Sequence, residues 1–290
     1  MALTSAIQKI DSHTVLYGVI GDPIRQSKSP IMMNRAFRET GVNGAYAAFH
    51  IAGDALPSFI GGVRAMGIRG VNVTIPHKQR VMELLDEIDP GARVIGAVNT
   101  IVNENGRLIG YNTDGIGYVR SLKEEAAPEL GGKRIVVIGA GGAARGIVYA
   151  LLGENPASIA IANRTVDRAE ELAASFDSGA AVLTAASVDQ LAALCQDADI
   201  VINTTSVGMF PHAGDSPMPG HWLKPGAIAS DLIYNPLKTE FLRQAEAHGC
   251  KAHGGLGMFI YQGAYAFEYW TGRPAPVSAM REEVLAAMQA

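Results

Sequence analysis

An apolar run, Ile135-Val136-Val137-Ile138, opens directly into Gly139-Ala140-Gly141-Gly142-Ala143-Ala144. That junction restricts the fold more than any other feature of the chain. A glycine motif at a strand's end starts a helix whose free backbone amides suit the phosphates of a dinucleotide. Gly139 allows the tight turn, Gly141 lets the backbone approach a pyrophosphate, and Ala144 is small enough for close helix–strand packing. Taken alone, G-x-G-x-x-A also serves strand–helix packing; its place after a strand favours the dinucleotide.

The surrounding pattern agrees. Runs at Arg134–Ile138, Ser158–Ala162 and Ile200–Asn203 alternate with helical stretches, and Ala227–Leu232 follows. This predicts a doubly wound parallel sheet, a Rossmann-like domain over 131–256. The second strand ends at Asn163-Arg164-Thr165, about 20 residues past the motif, where an NAD-binding chain usually places an acid against the ribose. Arg164 and Arg168 stand there instead and suit a 2′-phosphate, with Asn163 and Thr165 adding neutral hydrogen bonds, so NADP is favoured. The plain alternative is a solvated helix start, but cations are unfavourable at that positive dipole end.

In the N-terminal half, Val15–Ile20, Gly44–His50 and Gly70–Ile75 read as strands, with helices from Pro30 to Thr40 and Ala55 to Met66. The order βαβαβ predicts an open α/β domain. Ala97–Val102 and Leu108–Tyr111 flank Asn105-Gly106, a tight hairpin signal. The expected layout is a substrate-binding and catalytic domain over 1–115 and a connecting helix and linker over 116–130. The dinucleotide domain over 131–256 comes next. The run Met258–Trp270, polar only at Gln262 and Glu268, opens C-terminal helices over 257–290 that pack back on the first domain.

A chain of 290 residues accommodates two ordinary domains. Its net charge of -4, with Lys and Arg scattered, offers no basic surface to nucleic acid. Cys195 and Cys250 are too few for a disulfide framework and fit a reducing compartment. Met1 to Asp11 lacks the regions of a signal peptide, and no apolar run approaches the roughly 20 residues of a membrane helix. The expectation is a cytoplasmic monomer or homodimer acting on small molecules. Cys250 and His253 are a poor metal pair with no second pair to complete a site, and no metal is expected.

Lys78 closes Val71-Asn72-Val73-Thr74-Ile75-Pro76-His77-Lys78, and Asp114 sits in Gly110-Tyr111-Asn112-Thr113-Asp114-Gly115. A lysine that protonates a carbonyl oxygen, beside a carboxylate that orients the same group, performs the proton half of a carbonyl reduction. Thr74 and Lys78 lie at and beyond a strand end, Asn99 within a strand, and Asp114 past another, where ligands gather in open α/β sheets. Singly, Lys78 also reads as a solvated lysine and Asp114 as a turn former; jointly, beside a dinucleotide motif, they favour catalysis. Ser29-Pro30 reads as a helix cap with proline at the first helical position. Whether Ser29, with Ser27, holds a ligand carboxylate or simply caps its helix stays open on the residues alone. His77 reads as structural.

The chain resembles the shikimate dehydrogenases, within the wider quinate/shikimate dehydrogenase family, from near Val15 to Gly272. The resemblance is carried by Ser27-Lys28-Ser29-Pro30, Asn72 to Lys78, Gly96-Ala97-Val98-Asn99-Thr100, Asn112-Thr113-Asp114-Gly115, Gly139 to Ala144, Asn163-Arg164-Thr165 and Gly255-Leu256-Gly257-Met258. It implies that Ser27 and Ser29 bind the substrate carboxylate. It also implies that Thr74, Lys78, Asn99, Asp114 and Gln262 surround the ring hydroxyls and that Tyr234 adds a contact. Gly139, Ala140, Gly141, Gly142, Ala143, Asn163, Arg164, Thr165, Arg168, Leu232 and Gly255 would line the cofactor. Leu232 stands where relatives often carry methionine, and Pro90 where an acid approaches the cofactor. The implied activity is reversible NADPH-dependent reduction of 3-dehydroshikimate to shikimate, in aromatic amino-acid (chorismate) biosynthesis. The alternatives are a quinate/shikimate dehydrogenase with broader use of NAD and, more remotely, a non-catalytic ligand sensor, against which Lys78 and Asp114 speak.

Overall fold

A computed structural model describes residues 10–289. The leader reading, made on Met1 to Asp11, therefore falls mostly outside the described residues. The chain forms two compact units: one runs up to Thr113 and resumes at Gly263, and the other is Asp114–Gln262.

The first unit begins with β1 (Val15–Gly21), α1 (Ser29–Thr40), β2 (Gly44–His50), α2 (Leu56–Ala65) and β3 (Gly70–Val73). It continues with β4 (Glu87–Ile88), α3 (Pro90–Ile95), β5 (Thr100–Glu104) and β6 (Arg107–Tyr111). These strands form one sheet in the order β2-β1-β3-β5-β6-β4. β1, β2 and β3 are parallel, but β5 runs antiparallel to both β3 and β6. The sheet is mixed because the hairpin turns the chain back: Asn105 (φ 55°) and Gly106 (φ 95°) take the paired left-handed conformations of a tight turn. Leu56, Ile60 and Val63 of α2 bury one face of this sheet against Ile20, Val71, Val73, Ile101 and Leu108. At the β2 edge, the Asn34 side-chain amide accepts from the Tyr46 N–H and donates to the Tyr46 carbonyl, both at 2.9 Å. Helix α1 thereby occupies part of an edge that would otherwise template further pairing.

The second unit contains α4 (Asp114–Glu125), β7 (Arg134–Ile138), α5 (Gly142–Leu152), β8 (Ser158–Asn163), α6 (Val166–Ala174) and β9 (Val182–Ser187). After these come α7 (Leu191–Asp197), β10 (Ile200–Asn203), β11 (Ile228–Asp231), α8 (Glu240–Ala247) and β12 (Lys251–His253). Its sheet is entirely parallel in the order β12-β11-β10-β7-β8-β9. The order reverses between β7 and β10, the doubly wound arrangement expected from the sequence.

The helix anticipated as a connector belongs to this second unit, so the division falls between Thr113 and Asp114. Glycine explains how closely it packs. A Cβ on Gly115 would stand 2.2 Å from the Gly146 carbonyl oxygen of α5, and one on Gly117 2.7 Å from the Gln262 nitrogen. Because both obstacles are backbone, neither can swing aside. Gly115→Ala is expected to cost about 1–3 kcal/mol by overpacking. It should lower the thermal midpoint by about 2 °C or more, and a midpoint within 1 °C of wild type would refute this packing.

Helix α9 (Leu256–Thr271) passes from the second unit to the first, and α10 (Val277–Gln289) packs beside α1. The apolar character of α9 all round is used: Phe267 packs tilted against Phe37, while Trp270 packs tilted against Tyr17 and donates from Nε1 to the Ile101 carbonyl at 2.9 Å. The indole occupies the space over β3, since a Cβ on Gly70 would fall 2.3 Å from it. Among the described residues no helix is long and apolar enough to cross a membrane.

Candidate active site

In the first unit, the residues following β3 are held from two sides. The His77 imidazole, buried, donates from Nε2 to the Ile51 carbonyl at 2.7 Å. The Lys78 carbonyl accepts from the Val98 N–H at 2.8 Å. His77 is thus an anchor, and Lys78 emerges half-buried from a pinned turn. The neighbouring bonds are equally regular: Thr74 N–H to the Ile20 carbonyl at 2.9 Å, and Val73 N–H to the Asn99 carbonyl at 2.8 Å. Thr74, Lys78 and Asn99 are therefore gathered at one end of β1, β3 and β5. Asn99 itself precedes β5 instead of lying in it, and its side chain pairs with Thr113. Oδ1 accepts from the Thr113 N–H at 2.8 Å, and Nδ2 donates to Thr113 Oγ1 at 3.0 Å.

The serines correct another expectation. Lys28, not Ser29, occupies the cap position of α1, and no side chain there makes a cap bond. The Ser29 N–H instead donates to Ser27 Oγ at 3.2 Å. The Ser29 hydroxyl, nearly buried, lies beside the Tyr46 phenol. Burial raises that phenol's pKa well above the ordinary tyrosine value, and the Ser29 hydroxyl opposes the rise. Tyr46 donates to Asn72 Oδ1 at 2.7 Å, and Asn72 Nδ2 donates to Thr100 Oγ1 at 3.1 Å. Thr100 Oγ1 in turn donates to Asn99 Oδ1 at 3.0 Å. A buried polar chain thus joins the serine end to the asparagine end through Tyr46, Asn72 and Thr100, to which the sequence reading had given no role.

In the second unit, Asp114 opens α4 as the acidic residue of its first turn, a favourable place for a carboxylate. Tyr234 stacks on Phe259 with centroids 4.6 Å apart, and burial raises its phenol pKa. Gln262 donates from Nε2 to the Phe259 carbonyl at 2.8 Å. Ser27, Ser29, Thr74, Lys78 and Asn99 lie in the first unit, and Asp114, Tyr234 and Gln262 in the second.

The glycine turn lies at the carboxyl end of β7. Gly139 has φ 108°, a conformation that L side chains rarely adopt, and a Cβ there would meet Thr204 Oγ1 at 2.7 Å. At Gly141 and Gly142 a Cβ would meet nothing within 4 Å. Protein packing therefore does not demand those two glycines, and the space over them is open. Gly141 caps α5 without a side-chain bond, so the first amides of that helix have no side-chain acceptor. Ala144 is fully buried between helix and sheet. Ala140 is half-buried and Ala143 exposed. Asn163 folds back, Nδ2 to the Thr165 carbonyl at 2.8 Å. Arg164 and Arg168 are exposed, and neither side chain has a hydrogen bond or ion pair among the described residues. Leu232 and Gly255 meet, since a Cβ on Gly255 would lie 2.0 Å from the Leu232 carbonyl oxygen. The donor set fits a dinucleotide carrying an extra phosphate.

His253, a poor metal-ligand candidate with Cys250, is buried with Nδ1 2.8 Å from Ser230 Oγ and Nε2 2.8 Å from Ser121 Oγ. Cys195 and Cys250 are both buried, and burial raises the Cys195 thiol to about 12. Asp231, which the sequence did not single out, is fully buried at the end of β11. Desolvation raises its pKa to about 6, opposed by bonds from Ile233 N–H, Thr239 and Asn203.

A doubly wound sheet with this turn at its switch point, joined in one chain to an α/β unit presenting a pinned lysine, defines a two-domain dinucleotide-dependent oxidoreductase. The comparisons narrow the class. Residues 19–101 match the shikimate dehydrogenase substrate binding domain, 121–210 the shikimate / quinate 5-dehydrogenase model, and 255–285 the shikimate 5'-dehydrogenase C-terminal domain. The shikimate dehydrogenase (NADP(+)) of Geobacillus kaustophilus is 50% identical over 274 residues, 94% of this chain and 99% of that protein. A crystal structure of a shikimate dehydrogenase in complex with NADP+ superposes with a TM-score of 0.90 at 42% identity, covering 97% of this chain and 98% of that one. The shikimate 5-dehydrogenase of Listeria monocytogenes, in complex with shikimate and NAD, has a TM-score of 0.89 at 39% identity, covering 96% and 99%. The chain belongs to the shikimate dehydrogenase family.

Proposed function

We propose that the chain is an NADP-dependent shikimate dehydrogenase, reversibly reducing 3-dehydroshikimate to shikimate for chorismate and aromatic amino-acid biosynthesis. The first unit is the substrate domain and the second the cofactor domain, in a cytoplasmic monomer or homodimer. The observation that carries the reading is the doubly anchored turn that presents Lys78 beside Asn99, in a chain whose second unit holds a glycine turn and two arginines, Arg164 and Arg168, unpaired among the described residues.

Gly139 to Ala143 and the start of α5 would hold the pyrophosphate, Arg164 and Arg168 the 2′-phosphate, and Leu232 and Gly255 the rest of the cofactor. Bound there, NADPH supplies the hydride. Ser27 and Ser29 hold the substrate carboxylate, while Thr74, Asn99, Gln262 and Tyr234 surround the ring. Lys78 delivers a proton to the carbonyl oxygen as charge builds on it, and takes that proton back in the oxidation. Asp114 accepts a hydrogen bond from the same group and fixes its direction.

A steady-state panel of shikimate and quinate, each with NADP+ and NAD+, tests the reading. Shikimate with NADP+ should give the highest kcat/KM. A best pair of quinate with NAD+ would replace it with the broader quinate/shikimate activity. Absence of turnover in every combination would leave a ligand-binding protein without catalysis.

A further inference from the structure

We infer that Asp231 and Asn203 act as one positioning pair for the bound dinucleotide, shaping the loops after β10 and β11 beside the glycine turn. This rests on the NADP reading above. The two residues are direct register partners, the last of their strands, and both are fully buried. The Asp231 carboxylate collects donors from three segments. Asn203 Nδ2 lies 3.2 Å from each oxygen, Thr239 Oγ1 donates to Oδ2 at 2.8 Å, and the Ile233 N–H donates to Oδ1 at 3.0 Å. No basic side chain pairs with it among the described residues. A buried charge without a cation is a costly way to gain stability, so its value lies in what its donors hold in place.

Asn203 passes that constraint to the cofactor side. Its Oδ1 accepts from Thr205 N–H at 3.1 Å and from Thr205 Oγ1 at 2.7 Å, and its Nδ2 donates to the Val207 carbonyl at 3.1 Å. The loop so shaped carries Thr204, which donates to the Ile138 carbonyl at 2.7 Å and fills the position a Cβ on Gly139 would take. One wall of the glycine turn is therefore set by Asn203. On the other side, the bond to Ile233 N–H fixes the Asp231–Ile233 bend that presents Leu232 against Gly255. These loops leave β10 and β11, and β10 adjoins β7 where the strand order reverses, the place at which dinucleotides bind this kind of sheet.

A purely structural role is the competing account, because Thr239, which shares the carboxylate, also caps α8 by accepting from Leu242 N–H. The two are separated by calorimetric titration of NADP+ into the full chain at pH 8, together with steady-state kinetics and thermal midpoints. Asp231→Asn and Asn203→Ala should each raise the NADP+ Kd by about ten-fold or more, the loss of a buried polar contact converted to affinity. KM for shikimate should stay within about two-fold, and the double variant should be no weaker than the poorer single one. Thr239→Val should lower the midpoint without moving the NADP+ Kd. If Asp231→Asn does not fold, Asn203→Ala with the Thr239→Val control decides alone. NADP+ Kd values within two-fold of wild type in Asn203→Ala, or a Thr239→Val effect as large as the others, overturn the pair. A wild-type chain that binds no NADP+ removes the cofactor reading itself, and the pair's role with it.

Discussion

Replacing Lys78 by alanine is expected to lower kcat for shikimate oxidation by about 10²–10⁴-fold, the range that a general acid–base group supplies. KM for shikimate should change by less than about three-fold, the pattern of a contact made mainly in the transition state. Two bonds that hold this turn, the Lys78 carbonyl with Val98 N–H and the His77 ring with the Ile51 carbonyl, do not involve the Lys78 side chain and survive its truncation. The loss should therefore be chemical, with the thermal midpoint close to wild type. Lys78→Arg should not rescue turnover, since a guanidinium keeps its proton and cannot take one back during oxidation. Following NADPH absorbance at saturating substrate measures the effect. A kcat within about five-fold of wild type would remove Lys78 from the proton step.

Much of this architecture could be read from residue order alone, and the failures have physical reasons. The strands at β7, β8, β10 and β11 are apolar runs bounded by turn signals, so the doubly wound sheet was legible. β9 and β12 are the edges of that sheet. One is largely half-exposed and the other has three residues, and neither carries a clear pattern. Helix α3 escaped notice although its signals were present. Asp89 caps it by accepting from Gly91 and Ala92 N–H, Pro90 stands in its first turn, and Gly96 closes it at φ 73°. Read from the sequence, Pro90 stands only as a departure from the family. The Ser29-Pro30 signal misled by one residue because the cap position fell to Lys28. The chain from Tyr46 through Asn72 to Thr100 and Asn99 was invisible for a different reason. Its bonds join residues up to 28 apart in sequence, so no local spacing marks them. Asp231 likewise ends a strand without distinction in sequence; only its burial and its donors reveal its importance.

Arg164 and Arg168 carry the second large prediction. The double replacement Arg164→Ala with Arg168→Ala is expected to raise KM for NADP+ by about 10²-fold or more. Two charge-assisted bonds to one phosphate, taken at the low end of about 1.5 kcal/mol each because the site is exposed, amount to that factor. KM for NAD+, which lacks the 2′-phosphate, should move by no more than about two-fold, so the cofactor preference collapses or inverts. Stability should hardly respond, because both side chains are exposed and unpaired among the described residues. Removing Arg168 from the first turn of α6 even relieves a cation at the positive end of the helix. That is the argument for a ligand in reverse: a cation kept where its own helix disfavours it stands there for an anion that arrives later. The wild-type KM for NADP+ should also rise with added salt, and this slope should flatten in the double variant. Equal losses with NADP+ and NAD+ would mean that the arginines support the fold or the pyrophosphate instead, and unchanged values for both would place the 2′-phosphate elsewhere.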